Sequence, residues 1–115
     1  MVYEMKLNKD PFERIQAGIK KMEFRLYDEK RRKLQLGDTI KFSKLPEQKE
    51  IVEVEVIGLL HYPSFLELLQ DISFEQIGYK DKSPEELTKA IRKIYTKEEE
   101  EKYGVLGIRV KRGKQ

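Results

Sequence analysis

Apolar and polar positions alternate along VYEMKL, placing Tyr3, Met5 and Leu7 on one face and Glu4 and Lys6 on the other, the period of a half-buried strand. Asp10-Pro11-Phe12-Glu13 follows with helix-start chemistry: a capping carboxylate, a first-turn proline and a Glu three residues after the cap. Phe12, Ile15 and Ile19 then share a helical face, and Gly18 predicts a stop after about two turns. Residues 21–27, KMEFRLY, alternate again and predict a second strand with Met22, Phe24 and Leu26 inward and Lys21, Glu23, Arg25 and Tyr27 outward. After the charged run DEKRRK, Gly37-Asp38 predicts a tight turn into a third strand with Ile40 and Phe42 inward, and a loop centred on Pro46 follows. From Ile51 to about Leu60, Val52, Val54 and Val56 alternate with Glu53 and Glu55. The segment then turns apolar on both faces from Ile57, as expected of a strand that curves and becomes buried.

Helical periodicity begins at Ser64, which with Glu67 forms a capping box ahead of the stripe Phe65, Leu68 and Leu69. Ser83-Pro84-Glu85-Glu86 opens a longer helix with Leu87, Ile91, Ile94 and Tyr95 on one side. Thr96 with Glu99 starts a short acidic helix reaching about Lys102, whose run Glu98 to Glu101 is expected to face solvent. Leu106, Ile108 and Val110 alternate inward along a last strand. Between Ile72 and Lys82 periodicity is weak, and a surface loop is expected. The pattern predicts an α+β fold: a small, mostly antiparallel, curved sheet of about five to six strands closed into a barrel. A short helix lies near its start, and further helices are inserted before the last strand.

The length of 115 residues suits one domain spanning 1–115, and 38% apolar against 39% charged residues predicts a thin core under a densely ionic surface. The absence of cysteine excludes disulfides, thiolate nucleophiles and thiolate zinc sites, and the single histidine, His61, leaves little for imidazole chemistry. No cofactor is expected. Apolar runs fall well short of the roughly 20 residues of a membrane span, and MVYEMKLNKD lacks a signal-peptide core. A cytoplasmic protein without membrane partners is expected, most simply a monomer. The net charge of +3 conceals an uneven distribution: residues 1–36 hold ten bases and six acids, net +4, and the remainder is at −1.

Two constellations carry potential chemistry. Along Gly18-Ile19-Lys20-Lys21-Met22-Glu23-Phe24-Arg25, opposite charges two apart on a strand can perturb one another or fix a phosphate or carboxamide; a plain solvated ionic face is the alternative. The run Lys30, Arg31, Arg32 and Lys33 can neutralise nucleic-acid phosphates or serve as a solubilising loop beside Asp28 and Glu29. His61 reads as structural, and no phosphate-binding glycine loop, nucleophile elbow or metal motif is present.

Pro11-Phe12, the segment G-x-K-x-x-E-x-R (Gly18, Lys20, Glu23, Arg25), Gly37-Asp38 before a strand, and the closing Tyr103-Gly104-Val105-Leu106-Gly107-Ile108 together resemble an ASCH domain of the PUA-like β-barrel group. The resemblance spans nearly the whole chain. It implies a cleft between barrel and helices, lined by Lys20, Glu23 and Arg25 and holding RNA or a modified nucleoside or nucleotide, with Lys21 beside it and Lys30 to Lys33 as an accessory patch. It also implies an enzymatic alternative, either a ribonuclease or an amidohydrolase acting on an N-acylated nucleoside such as N4-acetylcytidine. In the amidohydrolase Lys20 would be nucleophile or base and Glu23 its partner. Of the lysine, threonine and glutamate used by similar amidohydrolases, the lysine matches Lys20. Glu23 stands at the threonine position and Lys80 near that of the glutamate, with Glu75 and Asp81 as nearby carboxylates.

Overall fold

The computed structural model describes residues 1–113. In chain order the elements are β1 (Val2–Leu7), α1 (Lys9–Gln16), β2 (Met22–Leu26), a 3-10 turn (Arg31–Lys33), β3 (Thr39–Lys44), β4 (Ile51–Tyr62), α2 (Phe65–Asp71), α3 (Phe74–Ile77), α4 (Pro84–Ile94), α5 (Lys97–Tyr103) and β5 (Val105–Arg112). The strands form one sheet in the order β1-β3-β4-β5-β2.

The sheet is curved and mostly antiparallel, as expected, with one parallel pairing that the alternation did not reveal: β1 runs parallel to β3, and the other three pairings are antiparallel. The reason is the long connection from Leu7 to Thr39, which carries α1 and β2 and returns the chain in the same direction. The sheet curls into a half-barrel with β1 and β2 as its free edges. Curvature is built into β4, where a bulge between Val56 and Gly58 shifts the alternation by one residue. Val52, Val54 and Val56 therefore share a face with Leu59, while Leu60 and Tyr62 turn to the opposite side.

Both faces are covered. On the concave side, Phe12 and Ile15 of α1 pack against Met5, Leu7, Ile40, Phe42 and their neighbours. On the convex side, Leu68, Ile77 and Leu87 of α2, α3 and α4 pack against Met22, Leu26 and Val105. Met22 and Leu26 of β2 are buried as predicted, but the face expected outward is covered too, since Glu23 is also buried. Met22 and Leu26 face the helices, whereas Glu23 and Arg25 lie opposite Ile108 and Leu106 on the concave side. Alternation reveals that a strand has two unlike faces, but where both are buried it does not say which one meets which core.

Four further expectations are corrected. Asn8, not Asp10, precedes the first helical residue; Asp10 lies in the first turn and pairs with Arg14 one turn on. Ile94 is 62% exposed, since Leu87 and Ile91 already fill the apolar stripe of α4. The 72–82 stretch is not a surface loop: Ile72, Ile77 and Tyr79 are buried there, and Ser73 caps the short α3. Within the acidic run, Glu100 is buried and accepts the Phe65 N–H at 2.5 Å while pairing with Arg92, so it ties α5 to the start of α2. The boxes at Ser83/Glu86 and Thr96/Glu99 are complete, while at Ser64 only the serine half forms, accepting the Glu67 N–H.

Candidate functional site

The seam between the free edges of β1 and β2 is where the motif residues meet. After α1, Gly18 adopts a left-handed backbone (φ +76°) that reverses the chain. The N–H groups of Ile19 and Lys20 both donate to the Arg14 carbonyl. Lys20 is thus held at the entry to β2, its side chain only 3% exposed, with Nζ 3.1 Å from Glu23 Oε1. The same carboxylate oxygen accepts the Phe24 N–H at 3.0 Å, closing off the free edge of β2. Its other oxygen accepts from Arg25 Nη2 at 2.9 Å, and Nη2 also donates to the Lys6 carbonyl of β1 at 2.9 Å. Arg25 therefore bridges the two edges that the sheet leaves open.

Two cations thus flank one carboxylate in a site almost without solvent. Burial alone would push the Glu23 carboxyl up, but Lys20, Arg25 and the Phe24 N–H outweigh it and hold the pKa at about 2. For Arg25, burial opposes the charge and the Glu23 carboxylate more than restores it, so its pKa is raised. Aromatic rings complete the walls. Lys20 Nζ lies 4.9 Å from the ring centroids of both Phe24 and Tyr79. Burial raises the pKa of both Tyr79 and Tyr95.

Tyr79 is delivered by the corrected 72–82 segment, which is fastened over Lys20. Arg14 Nη1 donates to the Gly78 carbonyl at 2.7 Å and to Asp81 at 3.0 Å, and its guanidinium lies 4.5 Å from the Tyr79 ring centroid. Asp81 is consumed in this clamp and Glu75 is exposed, so the carboxylate that meets Lys20 is Glu23.

The other predicted residues divide. Lys21 is exposed and stands outside the triad, on the rim of a groove of about 640 Å³ at the end of the sheet. Arg109, Lys111 and Arg112 share that rim over a floor that includes Ile15 and Val54, and Lys20 borders it from the seam side; Glu23 and Arg25 do not line it. Lys111 pairs with Glu55, and among the described residues no ion pair engages Lys21, Arg109 or Arg112. The run Lys30 to Lys33 does not act as one patch. Arg31 is half-buried against Asp28, Arg32 lies over the Tyr27 ring, and Lys30 and Lys33 are exposed. Sequence reasoning missed Tyr79 and, of the groove bases, Arg109, Lys111 and Arg112, and treated Tyr95 as core; the closing RVKR was the available signal for those bases. Among the described residues no group of three or more His, Asp or Glu side chains is arranged to hold a metal ion.

The family model for the ASCH domain matches residues 5–113. The chain belongs to the ASCH domain family. This ASCH domain is similar to the crystal structure of hypothetical protein PH0355, at 42% identity over 98% of this chain and 100% of that one, with a TM-score of 0.86. It is also similar to the solution NMR structure of protein PF0455 from Pyrococcus furiosus, at 37% identity with both chains covered in full and a TM-score of 0.78. The crystal structure of an ASCH domain from Lactobacillus crispatus shares the fold at 17% identity, covering 96% of this chain and 79% of that one, with a TM-score of 0.68. No curated protein matches the sequence. Among the described residues no helix is long and apolar enough to cross a membrane.

Proposed function

We propose that this ASCH domain binds RNA, or a modified nucleoside or nucleotide, in the seam lined by Lys20, Glu23 and Arg25. The observation that carries the reading is the buried triad itself, two cations on one carboxylate between the Phe24 and Tyr79 rings. Compared with apolar side chains filling the same space, such a buried ion cluster adds little net stability, because desolvation offsets most of the Coulombic attraction. A fixed set of donors with excess positive charge beside ring faces suits the carbonyls, phosphates and π-faces of a nucleotide. The groove bases Lys21, Arg109 and Arg112 extend positive charge away from the seam along a path a strand can follow, and Lys30, Arg32 and Lys33 add exposed charge beyond Tyr27.

Binding ranks ahead of amide hydrolysis because Lys20 Nζ is committed to Glu23 and two ring faces, and among the described residues no second carboxylate pairs with it to relay a proton. Incubation with N4-acetylcytidine decides between them: release of cytidine that stops on Lys20→Ala would replace the binding reading. Fluorescence anisotropy with a labelled single-stranded RNA decamer tests binding itself. If three groove bases each neutralise one phosphate, log K falls with log[salt] with a slope of about −2. Lys20→Ala should weaken binding about tenfold, the scale of one charge-assisted hydrogen bond. Binding insensitive to salt, or absent at low ionic strength, would overturn the proposal.

A further inference from the structure

A nucleotide in the seam has to touch groups that the structure covers. Lys20 and Glu23 are buried, and Lys20 Nζ is enclosed by the Glu23 carboxylate and the rings of Phe24 and Tyr79. Phe24 is fixed within β2 by its pairing to β5. Tyr79 instead belongs to the short segment Tyr79–Lys82, which runs between two helix caps. Gly78, left-handed at φ +84°, closes α3, and the complete box of Ser83 with Glu86 opens α4. Ile77, fully buried, anchors the upstream end in the core. Inside the segment the Lys82 N–H donates to the Tyr79 carbonyl at 2.9 Å, so the four residues can move as a unit without unwinding either helix. Their outer fastening is polar. Arg14 of α1 donates to the Gly78 carbonyl, pairs with both oxygens of the exposed Asp81 at 3.0 and 3.2 Å, and lies against the Tyr79 ring.

We infer that Tyr79–Lys82 is a strap that lifts to admit the ligand of the seam to Lys20 and closes again over it, with the Arg14–Asp81 pair as its latch. This rests on the nucleic-acid reading above for the identity of the ligand and adds how the ligand enters. The groove opens on the same side: Lys20 and Gln76, just ahead of the strap, both border it, so a strand seated on the groove bases meets the edge of the strap. An exposed ion pair biases an opening equilibrium by about two- to fivefold, so it holds the strap without sealing it. Because the strap is closed in the free and in the bound protein, the latch weighs equally on both and drops out of the affinity. It acts on the open state between them, and so on the rates of entry and release.

Two measurements on the wild-type chain, Asp81→Asn and Asp10→Asn test the strap, with a thermal melt to confirm that the variants are folded. Asp10→Asn is the control, because it removes the same charge and another Arg14 partner but lies on α1, outside the strap. Labelling with acetic anhydride, read by mass spectrometry, follows exposure of the Lys20 amine with no ligand present, against the exposed Lys89 as reference. Asp81→Asn should speed Lys20 labelling about two- to fivefold and Asp10→Asn should leave it unchanged. In stopped-flow binding of a labelled single-stranded RNA decamer, Asp81→Asn should raise the association and dissociation rates by that same factor with Kd unchanged. Loss of a carboxylate acting only through charge would instead speed association, tighten binding and do so in both variants. Lys20 labelling that ignores the latch, or RNA rates that do not follow it, would overturn the strap and leave the seam reading standing. Faster Lys20 labelling with no RNA binding in any of the three proteins would keep the latched strap and remove the nucleic-acid reading, and unchanged labelling with no RNA binding would remove both.

Discussion

Replacing Glu23 by glutamine is expected to destabilise the protein by about 3–5 kcal/mol, the cost of removing one partner from a buried ion cluster. For a chain of this size that corresponds to a fall in melting temperature of roughly 10–20 °C. Glutamine keeps the volume and can still accept the Phe24 N–H, but Lys20 and Arg25 then face each other across a 6%-exposed site with no counter-charge. Glu53→Gln, on an exposed face with Lys41 as its partner, is the control and should change stability by less than about 0.5 kcal/mol. The pH dependence has a definite direction. Because folding lowers the Glu23 pKa from 4.5 to about 2, its contribution is fully present above pH 4.5 and is lost as pH falls toward 2. That contribution is on the order of 3 kcal/mol. The stability gap between wild type and Glu23→Gln should therefore shrink across this window in urea titrations; a gap that stays constant from pH 5 to pH 2 would contradict the assignment.

Gly78→Ala should cost about 3 kcal/mol or more and should also impair the seam. Gly78 has a left-handed backbone (φ +84°), which costs an alanine roughly 1–2 kcal/mol. Its added Cβ would stand 2.8 Å from the Lys20 backbone nitrogen and 2.7 Å from Lys20 Cβ, closer still to Cα, so the segment must lift off the chain entering β2. Tyr79, the next residue, would leave the face of Lys20 as it lifts. Gly37→Ala separates strain from contact, because Gly37 has φ +91° with nothing near its absent Cβ, and it should cost only the backbone term. Equal losses at the two positions in thermal melts, or a Gly78→Ala protein that binds RNA as wild type does, would contradict this account.

Much of the architecture was legible because period and punctuation agreed. The capping signals at Ser83 and Thr96 stand at true helix starts, and the change of pattern at Ile57 marks the bulge that curves β4. The motif residues Lys20, Glu23 and Arg25 were legible as a group, but not their environment. Burying a lysine, a glutamate and an arginine together depends on the rings and carbonyls that surround them, and Tyr79, Tyr95 and Lys6 are far from β2 in sequence. The 72–82 segment looked like a loop because α3 is one turn long and its buried residues serve a site as much as a helix face. Glu100 was indistinguishable from its acidic neighbours, since what buries it is the Phe65 N–H on another helix. The parallel β1–β3 pairing was equally hidden, because alternation is the same in either direction.

The most direct measurement of the central claim is a 1H–15N NMR titration of the protein with a short single-stranded RNA at low salt. The account predicts that the largest shifts fall on residues 20–27, Tyr79 and Tyr95, with smaller ones along Lys21, Arg109 and Arg112, and that they vanish as salt is raised. Shifts confined to the exposed bases Lys30, Arg32 and Lys33, with the Lys20–Glu23–Arg25 seam unmoved, would contradict it.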